Sequence, residues 1–334
     1  MKRSLVIVPL ILAGLMVSSV AAQDKSGSDG KSPWESLPIV APKGDETFHC
    51  IAFVSREVGY VAGTKAIYKT EDGCKTWKPV FHAAFLKSGH IDFLRFQDAQ
   101  HGWLGCNSKV YFTEDGGASW EPVDAGLGSA DIAFGPGGWI LVVGGKNGVM
   151  QRRGPKGKWE PLDFARAAEW NGSFHAVRFV AITGEQSALV VLNGNLSSDC
   201  RIMRTTDGGK TWKEVLKREF RIQGMHFTDA RRGWLIAYAR IFVTDDGGES
   251  WKAQINPEDR ELMFLAFAPA GGTFGVAPVA SAPKLVYTTD GKSWRSVELG
   301  LKKATWQSAS VVDNGCALVL TEEGRIIRFL EPAK

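Results

Sequence analysis

Thr205-Thr206-Asp207-Gly208-Gly209-Lys210-Thr211-Trp212 decides the fold, because the chain writes this octapeptide repeatedly. Close copies stand at 70–77 (Thr70-Glu71-Asp72-Gly73-Cys74-Lys75-Thr76-Trp77), 113–120, 244–251 and 288–294. A worn sixth is Arg153-Gly154-Pro155-Lys156-Gly157-Lys158-Trp159, and Thr321-Glu322-Glu323-Gly324 reads as the relic of a seventh. Self-similarity at a period of about 40 residues sets the architecture before any residue is considered for chemistry.

Each unit follows one grammar. An apolar strand ends in Phe, as at Ile51-Ala52-Phe53, Leu94-Arg95-Phe96, Ile132-Ala133-Phe134, Val177-Arg178-Phe179, Met225-His226-Phe227 and Leu265-Ala266-Phe267. A second strand often opens on Gly-aromatic: Gly59-Tyr60, Gly102-Trp103, Gly138-Trp139, Gly233-Trp234. A third strand runs into the Asp turn, and the Trp after that turn opens a fourth, as in Trp120-Glu121-Pro122-Val123. Four short strands with evenly spaced turn signals are the sequence form of a propeller blade. The last unit stops near Phe329, where its fourth strand should begin, while Trp34-Glu35-Ser36-Leu37-Pro38 is a fourth strand with no strands before it. The expected fold is therefore all-β: a single seven-bladed propeller of four-stranded antiparallel blades over 34–334, its ring closed by the N-terminal strand. Closure removes exposed strand edges.

The first residues read as a processing signal. Lys2 and Arg3 form a basic start, residues 5–17 an apolar core and Val20-Ala21-Ala22 a small-residue cleavage site. Residues 1–22 are thus expected to be a signal peptide and 23–33 a flexible leader. The protein is expected to be exported, periplasmic or secreted, with no membrane span in the mature chain. Loss of Lys2 and Arg3 takes the formal charge of +4 to +2, a near balance that gives no case for nucleic acid. The five cysteines are odd in number and match no metal or redox spacing. A pair such as Cys74–Cys106 is open in an oxidising compartment, and Cys74 is expected on an exposed turn.

In the Asp turn a short carboxylate accepts backbone N–H groups across its own loop, Gly supplies positive φ and Trp plugs the blade edge. Asp72, Trp77, Asp115, Trp120, Asp207, Trp212, Asp246, Trp251, Asp290 and Trp294 are accordingly structural residues. The motif resembles the Asp-box (bacterial neuraminidase) repeat. Over nearly the whole mature chain the sequence is most similar to the photosystem II assembly and stability factor family of exported seven-bladed propellers. That resemblance implies a scaffold that binds protein and needs no cofactor. Sialidases and some glycan hydrolases share the box. A sialidase would need an arginine triad and a Tyr nucleophile, yet Tyr60, Tyr68, Tyr111 and Tyr287 hold repeat positions and only Tyr238 does not. No catalytic residue and no metal-ligand spacing stands out among the six His. The expected function is non-enzymatic protein binding or assembly by a monomer. The alternative is a glycan-binding or glycan-hydrolysing propeller, with paired acids across a cleft.

Candidate binding residues come from the fourth unit, which is the longest. Its two extra stretches carry Arg166, Glu169 and Trp170, and Asn195, Asp199 and Arg201, all expected at the end of the disk opposite the Asp turns. Aligning the first strands on Phe gives two further polar sets. The residue before Phe is Ala52, Arg95, Ala133, Arg178, His226 or Ala266, and the residue four before it is His49, Asp92, Ala130, His175, Gln223 or Met263. His175 and Arg178 join the candidates on that basis.

Overall fold

In a computed structural model the described residues are 33–38, 46–64, 66–82, 91–107, 109–123, 130–144, 148–153, 157–162, 175–194, 200–218, 220–258, 260–269 and 271–330. They form seven four-stranded antiparallel sheets. Blade one holds β2 (Phe48–Phe53), β3 (Gly59–Gly63), β4 (Ala66–Thr70) and β5 (Lys78–His82). Blade two holds β6 (Ile91–Phe96), β7 (Gly102–Cys106), β8 (Lys109–Thr113) and β9 (Glu121–Val123). Blade three holds β10 (Asp131–Phe134), β11 (Trp139–Gly144), β12 (Gly148–Arg153) and β13 (Glu160–Leu162). Blade four holds β14 (His175–Ile182), β15 (Ala188–Gly194), β16 (Cys200–Thr205) and β17 (Lys213–Arg218). Blade five holds β18 (Ile222–Phe227), β19 (Gly233–Ala237), β20 (Arg240–Thr244) and β21 (Lys252–Gln254). Blade six holds β22 (Ala266–Phe267), β23 (Gly275–Pro278), β24 (Lys284–Thr288) and β25 (Arg295–Glu298). Blade seven holds β26 (Trp306–Asp313), β27 (Cys316–Thr321), β28 (Arg325–Leu330) and, from the other end of the chain, β1 (Trp34–Pro38).

First strands line the centre. β26 touches β2, β2 touches β6, and the succession continues through β10, β14, β18 and β22 back to β26. Antiparallel connectivity then gives the disk two ends. The first-to-second and third-to-fourth turns share the box end. The second-to-third turns and the blade-to-blade connections share the loop end.

Burial follows position in the blade. Second strands such as β3, β7 and β19 are buried at every residue, because neighbouring blades cover both faces. They therefore read as continuous apolar runs rather than alternating ones. Fourth strands are the outer rim, and β9 and β21 are mostly exposed. The Phe-then-Gly grammar has a packing cause. Phe227 at the end of β18 pairs with Gly233 at the start of β19, and a Cβ on Gly233 would stand 2.7 Å from the Phe227 ring. Phe53 with Gly59 and Phe96 with Gly102 repeat the arrangement.

Blade four breaks that grammar and corrects the alignment. There Ile182, not Phe179, pairs with Ala188 in the place of Phe and Gly, and β14 bulges between Val177 and Phe179. The smaller Ile ring-free side chain leaves room for the Ala methyl. Arg178 therefore belongs to the set four residues before the strand end, in the place assigned to His175, and Ala181 takes the place assigned to Arg178.

Closure occurs as expected. β1 pairs with β28 from Trp34 against Phe329 to Pro38 against Arg325. Arg328 Nη2 meets Glu35 Oε1 at 2.6 Å, Arg325 Nη1 donates to Ser36 Oγ at 2.9 Å and Leu330 N donates to Pro33 O at 3.2 Å. The supposed seventh box is a different turn. Residues 321–324 join the second and third strands of blade seven at the loop end. They resemble a box because Thr321 is buried and its Oγ1 accepts the Arg325 N–H four residues on, the contact Thr70 makes with Cys74. The place of the true seventh box is where β28 ends and β1 begins, and Trp34 fills the Trp position there, 5.0 Å from Phe329.

Candidate functional site

The Asp boxes account for the most conspicuous carboxylates. In blade four Asp207 accepts the Thr211 N–H at 2.9 Å, the Thr211 hydroxyl at 2.6 Å and the Thr205 hydroxyl at 2.8 Å. Trp212 Nε1 donates to Gly209 O at 3.1 Å. Asp72, Asp115 and Asp246 repeat the pattern, and the shortened blade-six box still presents Lys292 N and Ser293 N to Asp290. The Thr211 hydroxyl and N–H hold Asp207 down to about 2, and the Thr76 groups do the same for Asp72. Partial burial works upward on Asp246 and Asp290, yet their hydrogen bonds outweigh it and bring both to about 2. An acid tied this way is a turn staple, not a proton shuttle.

Cys74 is a correction. It is buried at 7 % exposure rather than displayed on the turn, with φ of 72° in the glycine position of its box. Burial pushes its thiol up to about 12. All five cysteines are buried thiols, so the Cys74–Cys106 pairing is not formed.

At the channel the first strands bring together residues from separate blades. Asp131 on β10, 9 % exposed, lies 3.6 Å from Arg95 Nη2 on β6 and accepts the Val180 N–H from β14 at 3.3 Å. Burial raises the Asp131 carboxyl, with Arg95 opposing. His226 on β18 packs beside Phe267 of the next blade, and burial, helped by Arg95, lowers its imidazole to about 4. It is therefore neutral at ordinary pH. These groups bridge blades. Arg231 and Arg232, in the first-to-second turn of blade five, act within one blade, bracing Asp245 O at 3.1 Å and Asp245 Oδ1 at 3.3 Å in that blade's box.

Of the candidate binding residues, Arg166, Glu169, Trp170, Asn195 and Asp199 lie outside the described residues, as does the side chain of His175. The described strand ends that flank them, Leu162 and His175 and then Gly194 and Cys200, are at the loop end. Arg201 is tied to Glu214 at 2.9 Å across β16 and β17. Arg178 is exposed at the bulge midway along β14 and has no acid partner among the described residues. A cleft of about 400 Å³ opens between blades three and four at the box end, where the worn third box has no Asp to staple it. Lys158, Lys210, Gln151 and Gln186 line it beside Glu160 and Asp207, and no aromatic side chain is among them. Among the described residues no group of His, Cys, Asp and Glu is placed to hold a metal ion.

Residues 203–214 match the BNR/Asp-box repeat, within the blade-four copy that opens the sequence argument. No curated protein matches the chain. Among solved structures, YCF48 bound to D1 peptide is similar over 94% of this chain and 100% of its own, at 20% identity and a TM-score of 0.69. YCF48 from Cyanidioschyzon merolae is similar over 90% and 99%, at 17% identity and 0.67. Virginiamycin B lyase from Staphylococcus aureus is similar over 89% and 99%, at 14% identity and 0.68. A likeness shared by a peptide-bound protein and a lyase carries the fold and leaves function to the site.

Proposed function

We propose that the chain is an exported, non-enzymatic scaffold that binds another protein across the loop end of the disk. The observation that carries this reading is Arg178. It is an exposed guanidinium on an inner strand, at the bulge midway along β14, without an acid to neutralise it among the described residues. Arginine on a preorganised surface is a common anchor for a polypeptide partner. The fourth-unit insertions connect strand ends beside it, and the similar YCF48 fold has been solved with a peptide bound. The Asp-box acids are engaged in their own turns, which supports a binding role over catalysis.

Affinity capture from the native envelope fraction tests the proposal, with wild type beside Arg178→Ala and a Trp170→Ala/Arg166→Ala variant. A reproducible protein partner that both variants lose supports it. Retention on immobilised polysaccharide with no protein partner overturns it in favour of a glycan-binding propeller.

A further inference from the structure

The large hydrophobic side chains exposed among the described residues are Phe220, Tyr238, Ile255 and Met263, at 40%, 52%, 39% for Met263 and 83% for Ile255. They are far apart in sequence but gather around one blade. Phe220 lies in the connection entering blade five, Tyr238 in the turn between β19 and β20, and Ile255 and Met263 in the connection leaving it. All of these are loop-end segments. Apolar side chains concentrated on one patch, rather than scattered, mark an interaction surface.

A polar frame beneath them makes the patch one piece. Tyr238 has φ of 57°, a conformation that a bulky residue adopts only when its surroundings enforce it. Its N–H donates to Gln223 Oε1 at 2.6 Å, and Gln223 Nε2 donates to Glu261 Oε1 at 2.6 Å. Its carbonyl accepts from Leu262 N at 3.2 Å, next to Met263. Asn256, next to Ile255, donates to Ala239 O at 2.7 Å and Arg260 O at 3.4 Å. The Tyr238 ring lies 6.2 Å from Phe220 at 22°, and the Arg240 guanidinium sits 5.4 Å from the centre of the Phe220 ring.

Among the described residues the outward charge here is basic. Arg221, Arg240 and Arg260 are exposed and lack acid partners among the described residues. The described acids turn inward or are paired: Glu258 faces Lys284 at 3.5 Å, Glu298 faces the same lysine at 3.0 Å, and Glu261 holds Gln223. Ile255 stands out into solvent with no described wall to pack on, which suits insertion into a soft interface better than seating in a partner's pocket. Among the described residues no helix is long and apolar enough to cross a membrane.

We propose that the loop end of blade five docks on an anionic phospholipid surface. Phe220, Tyr238, Ile255 and Met263 enter the headgroup boundary, and Arg221, Arg240 and Arg260 meet the lipid phosphates. The experiment is flotation of purified protein with vesicles of phosphatidylcholine alone and of phosphatidylcholine mixed with phosphatidylglycerol. Every variant keeps the same N-terminus, so any pull of the apolar residues 5–17 is common to all. Wild type floats with the anionic vesicles and is released by salt. Arg240→Ser and Arg260→Ser each weaken binding about fivefold. Ile255→Ser and Tyr238→Asn abolish flotation while keeping the wild-type melting temperature, since Ile255 is exposed and Asn tolerates the left-handed backbone. Arg178→Ala floats as wild type does, which separates this surface from the scaffold site. Wild type that ignores anionic vesicles, or Ile255→Ser and Tyr238→Asn that still float, overturns the proposal. Loss of a protein partner in Tyr238→Asn without any vesicle binding reassigns the patch to a polypeptide.

Discussion

Arg56 of blade one and Asp313 of blade seven meet in a two-point ion pair, Nε to Oδ2 and Nη2 to Oδ1 each 2.7 Å. The pair crosses from blade one to the inner strand of blade seven, and its arginine hydrogen bond holds the Asp313 carboxyl below the usual carboxylate range. Both side chains are close to half exposed, so the pair is worth about 0.5–1 kcal/mol. Arg56→Ala should lower stability in urea by that amount at low salt and by less at high salt. Because the folded carboxyl is the more acidic, this stabilisation is full above the unfolded carboxylate value and fades as pH falls through the folded one.

The Asp boxes predict a steeper acid limb. Asp207 titrates near 2 in the folded chain, against about 4 for an unfolded Asp. Its staple is therefore intact above about pH 4 and lost as pH falls towards 2. Asp207→Asn should destabilise the protein at neutral pH and flatten the pH dependence of unfolding across that window. An unchanged acid limb in the variant would remove the staple from the account.

Trp34 should behave as a core residue despite standing at the start of the described chain. It is 7 % exposed and packs on Phe329 at 5.0 Å and Tyr287 at 5.9 Å. Trp34→Ala should cost about 3–5 kcal/mol. Deleting residues 33–38 should leave β28 as an open edge and promote self-association, measurable by light scattering.

The thiols should be silent. With all five cysteines buried, and Cys50 and Cys74 each pushed up to about 12 by burial, the native protein should resist a thiol reagent at neutral pH. In denaturant all five should react at once. A fast-reacting native thiol would mean that one of these blades opens.

How much of this was legible in the sequence depended on whether a residue's role repeats. Blade count, strand order and closure were visible because Thr, Asp, Gly and Trp recur in one order, and Trp34 without preceding strands pointed to the joint. The register of blade four was not visible. Phe179 mimics the strand-end Phe, and only the pairing of Ile182 with Ala188 reveals the bulge at Arg178. Residues 321–324 misled for a related reason, since a Thr hydroxyl closing a tight turn has the same local sequence at either end of a blade. The exposed platform was hardest to see. Tyr238 carried a signal, as the tyrosine without a repeat role, but Phe220, Ile255 and Met263 come to the same end of blade five only through its strand order.

The joint between β28 and β1 has one more consequence. Leu330 N and Pro33 O are a hydrogen bond apart at the spot where the Asp boxes of five other blades make a tight turn. Backbone continuity there is thus dispensable to the ring, and the chain should be open to circular permutation. An Asp-box octapeptide linking Leu330 to Trp34, with new termini cut into the worn third box near Gly157, would leave every blade with its four strands. The seven blades would then be sealed by a different pair of ends, and the loop end would not register the change.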